Sequence, residues 1–153
     1  YIIRSFEATL QSVVILAAFI PMLMDTGGNA GSQASTTVIR SVVLGEVEVK
    51  DFFRVLWKEV RISFLVGVVL AAFNFVRIIF VQRYSVWIAL TVSLTLIFTV
   101  VLAKMMGGIL PLIAKKLNVD PTIMASPVIT TIVDAITLVI YFYLAIWILG
   151  LPV

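Results

Sequence analysis

The sequence contains no cysteine and no histidine among its 153 residues. These two absences exclude disulfide scaffolds, thiol nucleophiles, His-based catalytic triads, haem attachment and the usual zinc sites. Charge is also scarce, because Lys, Arg, Asp and Glu make up 12% of the chain, against about 25% in a typical soluble domain. The 11 basic and 8 acidic residues leave a net charge of +3, too small a surplus to indicate nucleic-acid binding.

Apolar residues, in contrast, make up 62% of the chain. A membrane-spanning helix needs about 20 mostly apolar residues, and such continuous runs differ from the alternation of barrel strands. Four stretches qualify: 12–24 continuing into 25–35, 62–81, 86–103 continuing into 105–114, and 122–149. The sequence therefore predicts an all-α, polytopic transmembrane helix bundle in the cell membrane.

The distribution of basic residues predicts how these spans are oriented, because cytoplasmic loops are enriched in Lys and Arg. The first and third loops carry seven of them: Arg40, Lys50, Arg54, Lys58, Arg61, Lys115 and Lys116. The opposite side holds Arg4, Arg77 and Arg83. We therefore expect both basic loops in the cytoplasm and both chain ends outside. Because the sequence begins at Tyr1 instead of Met and this end is expected outside, we expect a fragment that lacks a preceding helix.

Residues 45–61 have a helical pattern of their own. Apolar side chains recur at helical spacing, and basic side chains occupy the remaining positions. This pattern predicts a separate amphipathic helix at the cytoplasmic headgroups, with Trp57 as its interfacial anchor. A simple elbow before the second span and a regulatory element are both compatible with it.

Asp134 is the only formal charge in the predicted fourth span. A charge at the bilayer centre costs about 2.5–3.5 kcal/mol, so it usually faces the bundle interior or a wet cavity. Helical periodicity aligns it with Ser126, Pro127, Thr130, Thr131, Thr137 and Tyr141. Pro127 also removes the hydrogen bond to the Ile123 carbonyl in a continuous helix. Such oxygen groups suit a hard cation; the alternative is a structural hydrogen bond or a salt bridge to Lys104.

A second polar face lies at the end of the first span, where Asp25, Asn29 and Gln33 recur every four residues. Its residue types indicate a cation path, although Asn29 and Gln33 could instead join helices by hydrogen bonds. Gly27 and Gly31 form a GxxxG pair, which favours close helix packing.

Two long motifs then resemble the MgtE family of magnesium transporters. They are PMLMDTGGNAGSQASTTVI at 21–39, followed by LGE at 44–46, and DPTIMASPVITTIVDAITLVIYF at 120–142. The resemblance implies five helices per subunit, of which this chain corresponds to the second to fifth, and a homodimer with its pore on the two-fold axis. Residues 1–153 would then be the transmembrane pore domain, without the family's cytosolic N-terminal and CBS domains.

The resemblance also implies which residues meet the ion. The family's ion-binding aspartate falls on Asp134, and Thr130 and Asn29 are the further metal contacts that we expect. The expected pore lining is Asp25, Gly28, Gln33, Ser126, Pro127, Thr131 and Thr137. Mg²⁺ dehydrates reluctantly, so these groups would hold it largely through its waters. Mn²⁺, Co²⁺ and Ca²⁺ are also compatible with oxygen ligands.

Three functions follow from these observations. The leading one is a Mg²⁺-selective channel driven by the membrane potential, in the inner or plasma membrane of a bacterium. The alternative is a proton- or sodium-coupled secondary transporter in which Asp134 titrates. An intramembrane aspartyl protease built on Asp25 and Asp134 is disfavoured, because residues 132–135 read Ile-Val-Asp-Ala instead of GxGD. We therefore expect no enzymatic activity.

Overall fold

The computed structural model describes residues 2–124 and 126–151, and within them the side chains of residues 14–123 and 127–151. Four long α-helices account for most of this chain, and its described residues form no strand. They are α1 (Ile2–Val43), α2 (Phe52–Phe80), α3 (Val86–Lys116) and α4 (Ser126–Leu149). Each contains a stretch that is long and apolar enough to cross a membrane. The prediction of an all-α chain with four apolar spans is confirmed.

The central helix of the bundle is α3, which packs against α1, α2 and α4. Glycine permits the close approach of α1 and α3, because a Cβ atom on Gly107 would overlap the carbonyl oxygen of Gly31. A Cβ atom on Gly27 would likewise lie 2.6 Å from Cγ2 of Thr99. The packing interpretation of the Gly27 and Gly31 pair is therefore confirmed, since small residues let two helix backbones come together.

The start of α4 differs from the sequence prediction. A short 3₁₀ helix covers Pro121–Met124, and α4 begins only at Ser126, so that Pro127 lies in its first turn. Proline fits there because the first N–H groups of a helix have no intrahelical partner. The prediction of one continuous span over 122–149 is therefore wrong at its start, because Pro127 lies in the first turn of a new helix.

The predicted separate helix at residues 45–61 is also wrong. A 3₁₀ helix at Val49–Asp51 leads directly into α2, whose 29 residues run without a break from Phe52 to Phe80. A helix of this length is about 43 Å long, which exceeds the roughly 30 Å of hydrocarbon. The amphipathic pattern therefore belongs to the 3₁₀ helix and the first turns of α2.

Candidate ion site

The helix α1 leaves a polar face open along its second half. Its apolar and small residues on the other side are buried: Leu23, Gly27, Ala30, Gly31, Ala34 and Val38. Asp25, Asn29 and Gln33 are exposed, because residues four apart in a helix lie on one side. The packing of α1 against its neighbours therefore fixes these three side chains on an open surface of the bundle.

A groove between α1 and α4 brings the two polar motifs together. Its volume is about 200 Å³, and it is lined by Met24, Asp25, Gly28, Asn29, Thr130 and Asp134. Gly28 allows the two helices to meet there, since a Cβ atom on it would lie 3.0 Å from Cγ2 of Thr130. Five of the residues that the sequence predicts at the ion path thus line one groove.

The two carboxylates of the groove have no competing partner in the described part of the chain. Asp25 is exposed and Asp134 is half-buried, and no hydrogen bond or ion pair to either is formed by a described residue. The salt bridge between Asp134 and Lys104 that the sequence left open is accordingly not formed. Both carboxylates remain available as oxygen ligands or as acceptors from the waters of a cation.

Threonine adds a neutral oxygen to the groove. The hydroxyl of Thr130 donates a hydrogen bond of 3.1 Å to the carbonyl of Pro127, in the first turn of α4. A hydroxyl whose proton is committed in this way presents its remaining lone pairs as acceptors. The groove therefore combines carboxylate, amide and hydroxyl oxygens, which is the donor set that hard divalent cations prefer.

The groove continues along α1 toward the loop that follows it. A second depression of about 560 Å³ is lined by Asn29, Ser32, Gln33, Thr36 and Thr37. A third, of about 480 Å³, is lined by Thr36, Ile39, Arg40, Val43, Leu44 and Thr122. Because Asn29 is shared by the first and second depressions and Thr36 by the second and third, the three form one track on the surface of α1.

Other predicted pore-lining residues lie away from this groove. Thr137 is buried, and its Oγ1 would be 3.5 Å from a Cβ atom on Gly27. Thr131 and Pro127 are exposed residues, and the hydroxyl of Thr131 donates a hydrogen bond of 2.8 Å to the carbonyl of Pro127. A pore-lining role for Pro127, Thr131 and Thr137 stays a prediction. The side chain of Ser126 lies outside the described residues.

Tyr141 belongs to the helix interface, although periodicity aligns it with Asp134. It is fully buried, and its hydroxyl donates a hydrogen bond of 2.9 Å to the carbonyl of Leu16 in α1.

Met24 lines the groove, although the sequence did not predict it there. An apolar residue in an apolar span carries no sequence signal for such a position; its place directly before Asp25 is the only hint.

The chain matches proteins of one family along most of its length. Residues 20–144 match the family model MgtE, described as a divalent cation transporter. Proteins named magnesium transporter MgtE from Thermus thermophilus and Bacillus subtilis are 32% and 37% identical over 144 residues. A third, from Enterococcus faecalis, is 26% identical over 144 residues. Each match covers 94% of this chain and 32% of the relative, so the chain spans about a third of the length of these relatives.

Proposed function

Because the chain belongs to the MgtE family of divalent cation transporters, we propose that it carries Mg²⁺ across the cell membrane into the cytoplasm. The observation that supports this proposal best is the groove that joins Asp25 and Asn29 of α1 to Thr130 and Asp134 of α4. The curated relatives are named as transporters, which favours transport over proteolysis by the two aspartates.

The open polar face of α1 supports a pore between two copies of the chain. Polar side chains in a spanning helix avoid lipid and face protein or a water-filled cavity. A second copy related by a two-fold axis would present the same face, since such an interface is self-complementary. We therefore propose a homodimer in which α1 and α4 of both subunits surround a single pore, with residues 1–153 as the transmembrane pore domain.

In this pore the ion would move as a hydrated cation. Mg²⁺ keeps most of its waters, so Asp134 and Asp25 would attract the complex by charge while Asn29 and Thr130 accept hydrogen bonds from its waters. Contacts through water are weak enough for the ion to leave, which conduction requires. The membrane potential, negative inside, would drive the flow. Mn²⁺, Co²⁺ and Ca²⁺ share the preference for oxygen and are candidate competitors.

Mg²⁺ influx into liposomes tests this proposal. The protein is reconstituted with a set membrane potential and without a proton or sodium gradient, as wild type, Asp134→Asn and the control Asp51→Asn. Asp51 is the last residue of the 3₁₀ helix before α2 and does not line the groove. Its carboxylate contacts Arg54 and the backbone N–H of Glu48. We expect the influx to be lost in Asp134→Asn and retained in Asp51→Asn.

Two other results would change the assignment. Undiminished influx in Asp134→Asn would remove this residue from the mechanism. Absence of wild-type influx, followed by its appearance when a proton or sodium gradient is imposed, would favour the coupled transporter, in which Asp134 is the site of the coupling ion.

A further inference from the structure

A separate pocket lies outside the groove, between the start of α2 and the end of α3. Its volume is about 410 Å³, within the range of ordinary ligand pockets. Five apolar side chains and two lysines line it: Val49, Phe52, Phe53, Leu112, Ile113, Lys50 and Lys116. None of these residues takes part in the proposed ion path.

The pocket lies at the end of a helix that is longer than the hydrocarbon layer of a bilayer is thick. Lys116 is the last residue of α3, whose 31 residues measure about 46 Å along the axis, so the end of the helix extends past the roughly 30 Å of hydrocarbon. On α2, Trp57 is 63% exposed and the Arg61 guanidinium lies 6.0 Å from the centre of its ring. Exposed tryptophan is typical of the membrane interface.

The pocket carries positive charge that protein carboxylates do not fully neutralise. Lys116 is exposed and forms no ion pair with any described residue. Lys50 contacts Glu48 at 2.9 Å, but an ammonium group has three donors and retains two others. The carboxylate of Asp51 is engaged by Arg54 at 3.8 Å. At least one lysine is therefore free to meet an anion.

We propose that this pocket binds an anionic phospholipid, with its phosphate on Lys50 and Lys116 and the upper part of an acyl chain against Phe53 and Ile113. A free phosphate would leave the apolar walls in water, and a neutral lipid would not use the lysines. Lys50 lies in the 3₁₀ helix before α2 and Lys116 at the end of α3, on the side that the distribution of charge predicts to be cytoplasmic, where anionic lipids attract basic residues.

Native mass spectrometry of the purified protein tests this proposal, because it counts the lipids that stay bound. Phosphatidylglycerol and phosphatidylcholine with identical acyl chains are added at equal ratios. The test variant is Lys50→Gln/Lys116→Gln, and the control is Lys58→Gln/Lys115→Gln, which removes the same charge from residues that do not line the pocket. We expect wild type and control to retain phosphatidylglycerol preferentially, and the test variant to lose roughly fivefold in preference per lysine.

Ile113→Trp provides an independent check, since it fills the pocket and preserves both lysines. We expect it to lower the retention of phosphatidylglycerol, while glycerol phosphate, the headgroup without chains, does not displace the lipid. An unchanged preference in either the lysine variant or Ile113→Trp would overturn the proposal. Displacement of the lipid by glycerol phosphate would overturn the proposal as well, because the pocket would then be a site for small anions. An equal loss of preference in the Lys58→Gln/Lys115→Gln control would also overturn it, because the lipid would then respond only to the general surface charge.

Discussion

Gly28 of α1 and Thr130 of α4 lie so close together that a Cβ atom on Gly28 would be only 3.0 Å from Cγ2 of Thr130. Both residues line the groove that holds Asp25 and Asp134, so the two helices approach closely there. A side chain at position 28 would act on the groove without changing any of its oxygen ligands.

We predict that Gly28→Ala lowers Mg²⁺ influx several-fold while the protein remains folded. The added methyl group must push Thr130 or α4 outward by a few tenths of an ångström, because a contact of 3.0 Å is too short for two carbon atoms. Influx into liposomes and the melting temperature measure the two effects separately.

The double variant Gly28→Ala/Thr130→Ser tests the cause. Serine keeps the hydroxyl of Thr130 and removes the Cγ2 atom that the new methyl group would meet, so influx should recover in the double variant. Neighbouring substitutions are expected to be non-additive in this way. Equal influx in the single and double variants would show that the contact is not what limits the groove.

A second prediction compares two adjacent glycines of α3. Gly107→Ala should destabilise the protein by about 1–3 kcal/mol, because its Cβ atom would overlap the backbone carbonyl of Gly31 and α1 would have to move. At Gly108 the new atom would lie 3.1 Å from Cγ of the buried Glu59, which is a side-chain atom that has to shift by only a few tenths of an ångström. Gly108→Ala should therefore destabilise the protein less than Gly107→Ala, and denaturant unfolding in detergent measures both. Equal losses would mean that close backbone packing is not the reason for glycine at 107.

The sequence was sufficient to predict the spans and the two polar motifs, because apolar length and a four-residue period are local properties. It was not sufficient to predict the environment of Tyr141, which shares a face of α4 with Asp134. Both residues meet α1, but the interface is sealed at Tyr141 and open as a groove at Asp134. That difference depends on how closely α1 and α4 approach each other at the two positions. The periodicity of one helix carries no information about this distance.

The sequence was also not sufficient to predict where some helices begin. The pattern at residues 45–61 is helical both in a separate surface helix and in an extension of α2, so the sequence alone does not decide between them. At Pro127 the sequence permits either a kink within a helix or the first turn of a new one, and the turn at Pro121–Met124 decides for the second.

A third prediction concerns pH and the turn before α4. Asp120 accepts two hydrogen bonds at its Oδ1 atom, one of 2.9 Å from the backbone N–H of Thr122 and one of 2.8 Å from the hydroxyl of Thr122. These bonds lower the pKa of the Asp120 carboxyl below its ordinary value of 3.8, and the backbone bond has the larger effect. A carboxyl with a lowered pKa in the folded state stabilises the protein above its ordinary pKa, and this contribution is lost as the pH falls through the lowered value. Wild type should therefore be more stable than Asp120→Ala at pH 6, and the difference should shrink below about pH 4. Melting temperatures across this range measure it, and a difference that stays constant with pH would contradict the ionic origin.

The last prediction uses a pair of tyrosines on α4. Tyr141→Phe removes the hydrogen bond from the buried hydroxyl to the carbonyl of Leu16, which should cost about 0.5–1.5 kcal/mol of the free energy of unfolding. Tyr143 is 72% exposed, so Tyr143→Phe removes a hydroxyl from the same helix without breaking a buried contact and should change stability little. Unfolding of both variants in the same detergent gives the comparison. If Tyr143→Phe is as destabilising as Tyr141→Phe, the hydrogen bond between α4 and α1 contributes nothing measurable to stability. If only Tyr141→Phe is destabilising, this single hydrogen bond helps to hold α4 against α1.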